Sequence, residues 1–143
     1  MARIKLTPPS EFQFFTEIPI RITDLNYGNH VGNDSILSII HEVRVQYLES
    51  YQLKELEFAG VSLIMSDVVI EFKNESFYGD TIKAFARAVD FSSAGFDIYY
   101  KLITEKNKVT KTIAIAKTGM VCFDYSSRKV VKVPDEAKRL LLG

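Results

Sequence analysis

The chain has 143 residues, 47% of them hydrophobic and 25% charged, which fits one domain with a core of its own. Lys plus Arg and Asp plus Glu both number 18, so the formal net charge is zero and a general polyanion binder, which needs a basic excess, is excluded. The single cysteine, Cys122, excludes an internal disulfide and a thiolate metal cluster, and no run of 18 apolar residues predicts a membrane span. Met1 to Leu6 lacks the apolar core of a secretory leader, so the expectation is one cytoplasmic domain over residues 1–143, without nucleic-acid or membrane partners.

The first ordered signal is alternation. Phe12, Phe14, Thr16, Ile18, Ile20 and Ile22 share one side of an extended segment, which predicts a strand with one buried face. Pro19 has no backbone donor and suits an edge or a bulge there. A polar, turn-rich loop over residues 23–35 then hands over to a helix of about 16 residues. Asn33, Asp34 and Ser35 are all able N-caps, so the exact start is open. At 100° per residue, Ile36, Ile39, Ile40, Val43, Tyr47 and Tyr51 fall on one face. Leu37 and Leu48 widen the apolar arc to about half the circumference, which suits a helix wrapped by a curved sheet. Strand chemistry follows at residues 61–72, 80–91, 95–105 and 109–123, with short breaks that predict antiparallel neighbours. Pro134 then opens a short helix with acids early and bases late, the order the helix dipole favours. The result is an α+β domain with one long helix against an antiparallel sheet of about five strands.

Chemistry concentrates in the loop before the helix. Asp24, Asn26, Asn29, His30 and Asn33 fall within ten positions, with Gly28 and Gly32 permitting close backbone approach to a ligand. The loop runs into a helix N-terminus, whose unpaired N–H groups favour developing negative charge. Such donors can polarise a carbonyl while a carboxylate or imidazole activates water or attacks directly, which is acyl-hydrolysis chemistry. The plain reading of the same residues is a polar turn that caps a helix.

The DLNYGNHVGN run at residues 24–33 resembles the D-x-D-x-x-G-H-V-N-N signature of the hotdog-fold thioesterases, in the branch of 4-hydroxybenzoyl-CoA and acyl-ACP thioesterases. HEVRVQYL at 41–48 is similar to that family's D-E-A-R-x-x-F-L. Phe72, the Tyr78–Gly79–Asp80 turn, the GFDIYY run at 95–100 and VKVPD at 131–135 fit further family positions. The resemblance spans essentially the whole chain. It implies a hotdog fold, with a long central helix wrapped by a curved antiparallel sheet. It also implies assembly as a homodimer or homotetramer with sites at the subunit boundary. The implied reaction is hydrolysis of an acyl-CoA or acyl-carrier thioester without metal or cofactor, with Gly28, Asn29, Val31, Gly32 and Asn33 against the substrate.

The chain departs from the family at one telling place. Where the best-matching branch carries its catalytic acid, the second acidic residue of D-x-D, this chain has Asn26, and an amide is neither a base nor a carboxylate nucleophile. Three accounts follow. His30 is the base, with Asn26 positioning water and Asp24 orienting the imidazole; an ordinary imidazole pKa of about 6.5 suits that task. Alternatively Glu42, on the polar face of the helix, is base or nucleophile. In the third account the domain binds acyl thioesters and does not turn them over. Arg44 falls inside the apolar arc and is expected to snorkel or to meet an acid on the sheet. His41 is expected at solvent or an interface, and Cys122 as an inert buried thiol. The turn at residues 91–95 carries no cation for the phosphates of a carrier, unlike part of the family.

Overall fold

Strand β1 (Phe14–Pro19) leads through a 3-10 turn (Ile22–Asp24) into helix α1 (Asn33–Glu49). Strands β2 (Ser62–Phe72), β3 (Thr81–Val89), β4 (Gly95–Lys106) and β5 (Val109–Asp124) follow, then the two-residue β6 (Lys129–Val130) and helix α2 (Asp135–Leu142). This computed structural model describes residues 3–143; Met1 and Ala2, at the start of the segment read above for a leader, lie outside the described residues. The expected α+β order holds, with β6 as a short addition that pairs with the end of β5.

The sheet is antiparallel in the order β1-β3-β4-β5-β2. Its inner face is apolar: Ile82, Ala84 and Ala86 on β3, Ile98, Tyr100 and Leu102 on β4, and Ala114, Ala116 and Met120 on β5 are all buried. The small alanines of β3 and β5 leave room for α1, whose Ile36, Ile39, Ile40, Val43, Tyr47 and Leu48 fill the concave side. The expected apolar arc of the helix is therefore the buried one, except that Leu37 is 38% exposed. Ile22 also departs from its expected row: the strand ends at Pro19, and the 3-10 turn leaves Ile22 67% exposed. Pro19 sits on the edge strand β1, where no further ladder needs its missing donor.

The connection from β2 to β3 differs most from expectation. These strands are not neighbours; β2 lies on the far edge beside β5, separated from β3 by two strands. Residues 73–80 therefore run along the end of the sheet. The amides of Lys73 and Asn74 donate to the Ile113 carbonyl, and Asn74 Nδ2 donates to the Thr112 carbonyl. An eight-residue link can do this where a hairpin turn cannot.

The outer face of the sheet has its own cover. The Leu6 amide donates to the Glu71 carboxylate on β2, and Arg87 on β3 donates to the Glu11 carbonyl. Three interstrand spacings of about 4.8 Å separate β2 from β3, about 14 Å in all. The stretch from Leu6 to Glu11 reaches about 16 Å when extended, so it crosses that face as a strap. Pro8 and Pro9 within it cannot donate to a ladder.

Candidate active site

The loop before α1 folds back on itself. The Asn26 amide donates to the His30 carbonyl (2.9 Å), the Asn29 amide to the Asn26 carbonyl (3.1 Å), and Leu25 bridges Val31. Asn29 takes a left-handed backbone (φ 64°), which asparagine tolerates better than most residues. The Asn26 side-chain oxygen accepts the Gly28 N–H at 2.8 Å, closing a turn that leaves its NH2 group as the free end. A Cβ at Gly28 would lie 3.2 Å from Asn26 Oδ1 and 3.3 Å from His30 Nε2, so these two polar atoms flank one small space.

His30 is oriented by the backbone. Its Nδ1 faces the Val31 carbonyl at 3.2 Å. A carbonyl only accepts, so Nδ1 carries the proton and Nε2 keeps the lone pair. The Val31 carbonyl is aimed by its own peptide plane, because the Gly32 N–H on the other side of that plane donates to the Asp24 carbonyl (3.1 Å). The Val31 N–H in turn donates to the Ser76 carbonyl (2.8 Å), which ties the loop to the link between β2 and β3.

Asp24 therefore acts on His30 through its main chain, not through its carboxylate as the first account expected. The carboxylate accepts from the Arg21 amide (2.8 Å) and guanidinium (3.2 Å), and Asp24 is 4% exposed. Gly32 is the N-cap of α1, one residue before the candidates read from sequence, and it offers no side chain to the first-turn amides. Those N–H groups have no intrahelical partner. A Cβ at Gly32 would meet Asp34 Oδ1 at 2.6 Å, so the cap position is closed to larger residues unless Asp34 moves.

A cleft of about 230 Å³ opens beside this helix start, lined by His30, Val31, Asn33, Ile36, Phe72, Lys73–Ser76 and Ile113. Val31, Ile36, Phe72 and Ile113 supply the apolar part of the lining, and His30, Asn33 and residues 73–76 the polar part. The motifs of the sequence do not mark Asn74 and Glu75 as lining residues; the signal for them is the length of a link too long for a hairpin.

Glu42 is elsewhere. It accepts from Gln46 Nε2 at 2.7 Å, and Gln46 accepts the Thr16 hydroxyl. Glu42 and Asp24 line a second cleft, of about 360 Å³, between β1 and α1 with Arg21, Ser38 and Gln46. Within one chain the helix thus separates Glu42 from His30.

The buried Arg44 meets an acid outside the sheet: its Nε lies 3.5 Å from Glu55 Oε1, in the connection after α1, and Nη1 donates to the Tyr100 hydroxyl at 3.4 Å. Tyr100 also bonds Thr118 at 2.7 Å, and His41, largely exposed, contacts Glu55 at 2.9 Å. Cys122 is buried, which pushes its thiol up to about 11 and keeps it protonated and inert. Among the described residues no group of three or more His, Cys, Asp or Glu is placed to hold a metal ion, and no helix is long and apolar enough to cross a membrane.

Residues 20–141 match the family described as the thioesterase-like superfamily. Among solved structures the chain is similar to a 1,4-dihydroxy-2-naphthoyl-CoA thioesterase from Synechocystis, with 20% identity over 90% of this chain and 95% of that one, and a TM-score of 0.80. It is also similar to a 4-hydroxybenzoyl-CoA thioesterase variant complexed with 4-hydroxybenzoyl-CoA (12% identity, 90% and 97% covered, TM-score 0.82). A thioesterase-superfamily structure from Jannaschia sp. CCS1 matches with 13% identity over 94% of this chain and 84% of that one, at a TM-score of 0.82. A comparison with curated proteins gives no match.

Proposed function

The chain belongs to the thioesterase-like superfamily and has the hotdog fold, and on that premise we propose that it hydrolyses an acyl thioester, of CoA or of an acyl carrier protein, in the cleft beside His30. The observation that carries this reading is the fixed imidazole: Nδ1 is committed to the Val31 carbonyl, which leaves Nε2 as a base next to an uncapped helix start.

In this mechanism the thioester carbonyl points its oxygen at the first-turn amides of α1. Nε2 takes a proton from water, and the water oxygen bonds to the carbonyl carbon. The amides stabilise the resulting oxyanion. Collapse breaks the C–S bond, and the proton passes from the imidazole to the departing sulfur, giving free acid and thiol. The Asn26 NH2 group holds the water or the acyl oxygen, a positioning task that needs no charge. The apolar lining residues Val31, Ile36, Phe72 and Ile113 receive the first part of the acyl group.

A second copy of the chain completes the site. Strand β2 is 11 residues long and among the described residues pairs on one side only, with Met65 and Phe72 exposed along it. An edge of that length is a template for pairing, and Phe72 also lines the cleft, so a homodimer formed there closes the cleft against water. Pairs of such dimers would give the tetramer. The test is thiol release from acyl-CoAs ranging from acetyl through long-chain to benzoyl, with His30→Ala alongside. Turnover lost in that variant supports the reading.

Asn26 favours a second reading, a domain that binds acyl thioesters without hydrolysing them. It predicts saturable binding of the same esters and no thiol release from either protein.

A further inference from the structure

We infer that Asp80, clamped by Lys106, is a positioning residue for His30, acting through Ser76 and Val31. The inference rests on the thioester-hydrolase reading only for its kinetic consequence; the orientation of the imidazole can be read without turnover.

The contacts form a continuous chain. Lys106 Nζ, at the end of β4, reaches Asp80 Oδ1 at 2.8 Å. The other oxygen of that carboxylate accepts the Ser76 hydroxyl (3.1 Å) and the Phe77 amide (2.9 Å), and the Asp80 amide donates back to the Phe77 carbonyl (3.0 Å). Gly79, at φ 94°, allows the turn to close this tightly. Ser76 is 1% exposed and Asp80 8%, so the bonds between them in this knot are shielded from water, while Lys106 reaches the carboxylate from the solvent side. The Asp80 carbonyl also accepts the Ile20 amide (3.0 Å), so the turn is fixed to the segment that leads into the catalytic loop. From the knot, the Ser76 carbonyl accepts the Val31 N–H (2.8 Å), and the Val31 carbonyl holds His30 Nδ1 (3.2 Å).

The two peptide planes that flank Val31 are thus held from both sides. The plane between His30 and Val31 is held by Asn26 and Ser76, and the next by Asp24 and the imidazole itself. Loss of the Ser76 anchor leaves the first plane held by Asn26 alone, so Val31 shifts at its Cα and its carbonyl, shared with the second plane, moves off His30 Nδ1. With no carbonyl to hold the proton on Nδ1, the imidazole populates the other tautomer, in which Nε2 carries the proton and cannot act as base. The carboxylate of Asp80 touches neither the cleft's reacting position nor His30, which makes it a positioning residue and not a catalytic one.

The test uses imidazole nitrogen NMR on the full chain, which has only two histidines, His30 and His41, distinguished with a His41→Gln variant. Asp80→Asn removes the charge at nearly constant shape. Lys106→Met removes the clamp at a side chain that is 68% exposed, so it folds whatever Asp80→Asn does. The expected result is a His30 locked as the Nδ1–H form in the parent protein, with both forms populated in each variant. Alongside that, kcat falls about 10-fold to 100-fold at unchanged KM, and Lys106→Arg restores both readouts. Folded variants that keep the parental His30 tautomer overturn the inference. A tautomer shift in a protein without thioester turnover would uphold it while sinking the hydrolase reading.

Discussion

The two sides of helix α1 place an acid or a base beside a cleft by different means, and the proposed chemistry uses only one of them. On the His30 side the functional group is aimed by peptide planes, each fixed at both ends, so one nitrogen is set as donor and the other as acceptor. On the Glu42 side the carboxylate is already engaged by Gln46, whose own oxygen takes the Thr16 hydroxyl, and the cleft is bounded by β1. A helix face with an acid and an amide at i and i+4 satisfies itself; a loop held at its backbone leaves a side chain free to act. The proposed mechanism rests on the His30 side of that contrast.

Substitutions can break or sharpen the contrast. The largest effect is expected for His30→Gln, which keeps a polar side chain but removes the base: kcat falls about 10²-fold to 10⁴-fold with an unchanged unfolding transition, measured by thiol release and calorimetry. Asn26→Asp comes next. A carboxylate there still accepts the Gly28 amide and adds a second base, one whose unperturbed pKa of about 3.9 leaves it ionised in mild acid. Activity at pH 5 should rise about tenfold relative to the parent, read from pH–rate profiles of the two proteins. Gly28→Ala puts a methyl between Asn26 Oδ1 and His30 Nε2 and should cost severalfold in kcat without changing stability. Glu42→Gln is expected to leave kcat/KM within about twofold, since its side chain is bound within its own helix face.

Acid stability offers a check on the anchor of the loop. Burial alone would raise the Asp80 carboxyl, but Lys106, the Phe77 amide and the Ser76 hydroxyl outweigh it and hold the group below the usual carboxylate range. A depressed carboxyl contributes stability above its unfolded pKa of about 3.9 and loses it as pH falls through the lower folded value. Urea unfolding followed from pH 7 to pH 2 should therefore show a steeper acid loss for the parent than for Asp80→Asn. Parallel curves would remove the charge from the account of that turn.

Much of this fold was legible because local signals agreed with one another. Alternation placed the strands to within a few residues, and the apolar arc of Ile36, Ile39, Ile40, Val43 and Tyr47 identified the buried side of α1. The errors came where tertiary pairing decides. Leu37 is apolar by type yet faces out because the sheet covers less of the helix than its arc would allow. The link after β2 read as a hairpin because periodicity says nothing about which strand a neighbour will be; register with β5 carried β2 to the opposite edge. The loop motif pointed to His30 and Asn26, but not to the way they are held. Nothing in the residue types says that Asp24 turns its carboxylate to Arg21 and its carbonyl to Gly32, or that Ser76 joins the site through a main-chain bond. Arg44 was readable as an anomaly in the apolar face, whereas its acid, Glu55, lies in a connection that no periodicity marks.

The most direct measurement is steady-state thiol release by the parent, His30→Gln and Glu42→Gln proteins, run side by side on the best ester of the acyl-CoA panel. Turnover that vanishes with His30 and survives loss of Glu42 is the predicted result. Turnover that survives loss of His30 and vanishes with Glu42 would contradict it and move the chemistry to the other side of the helix.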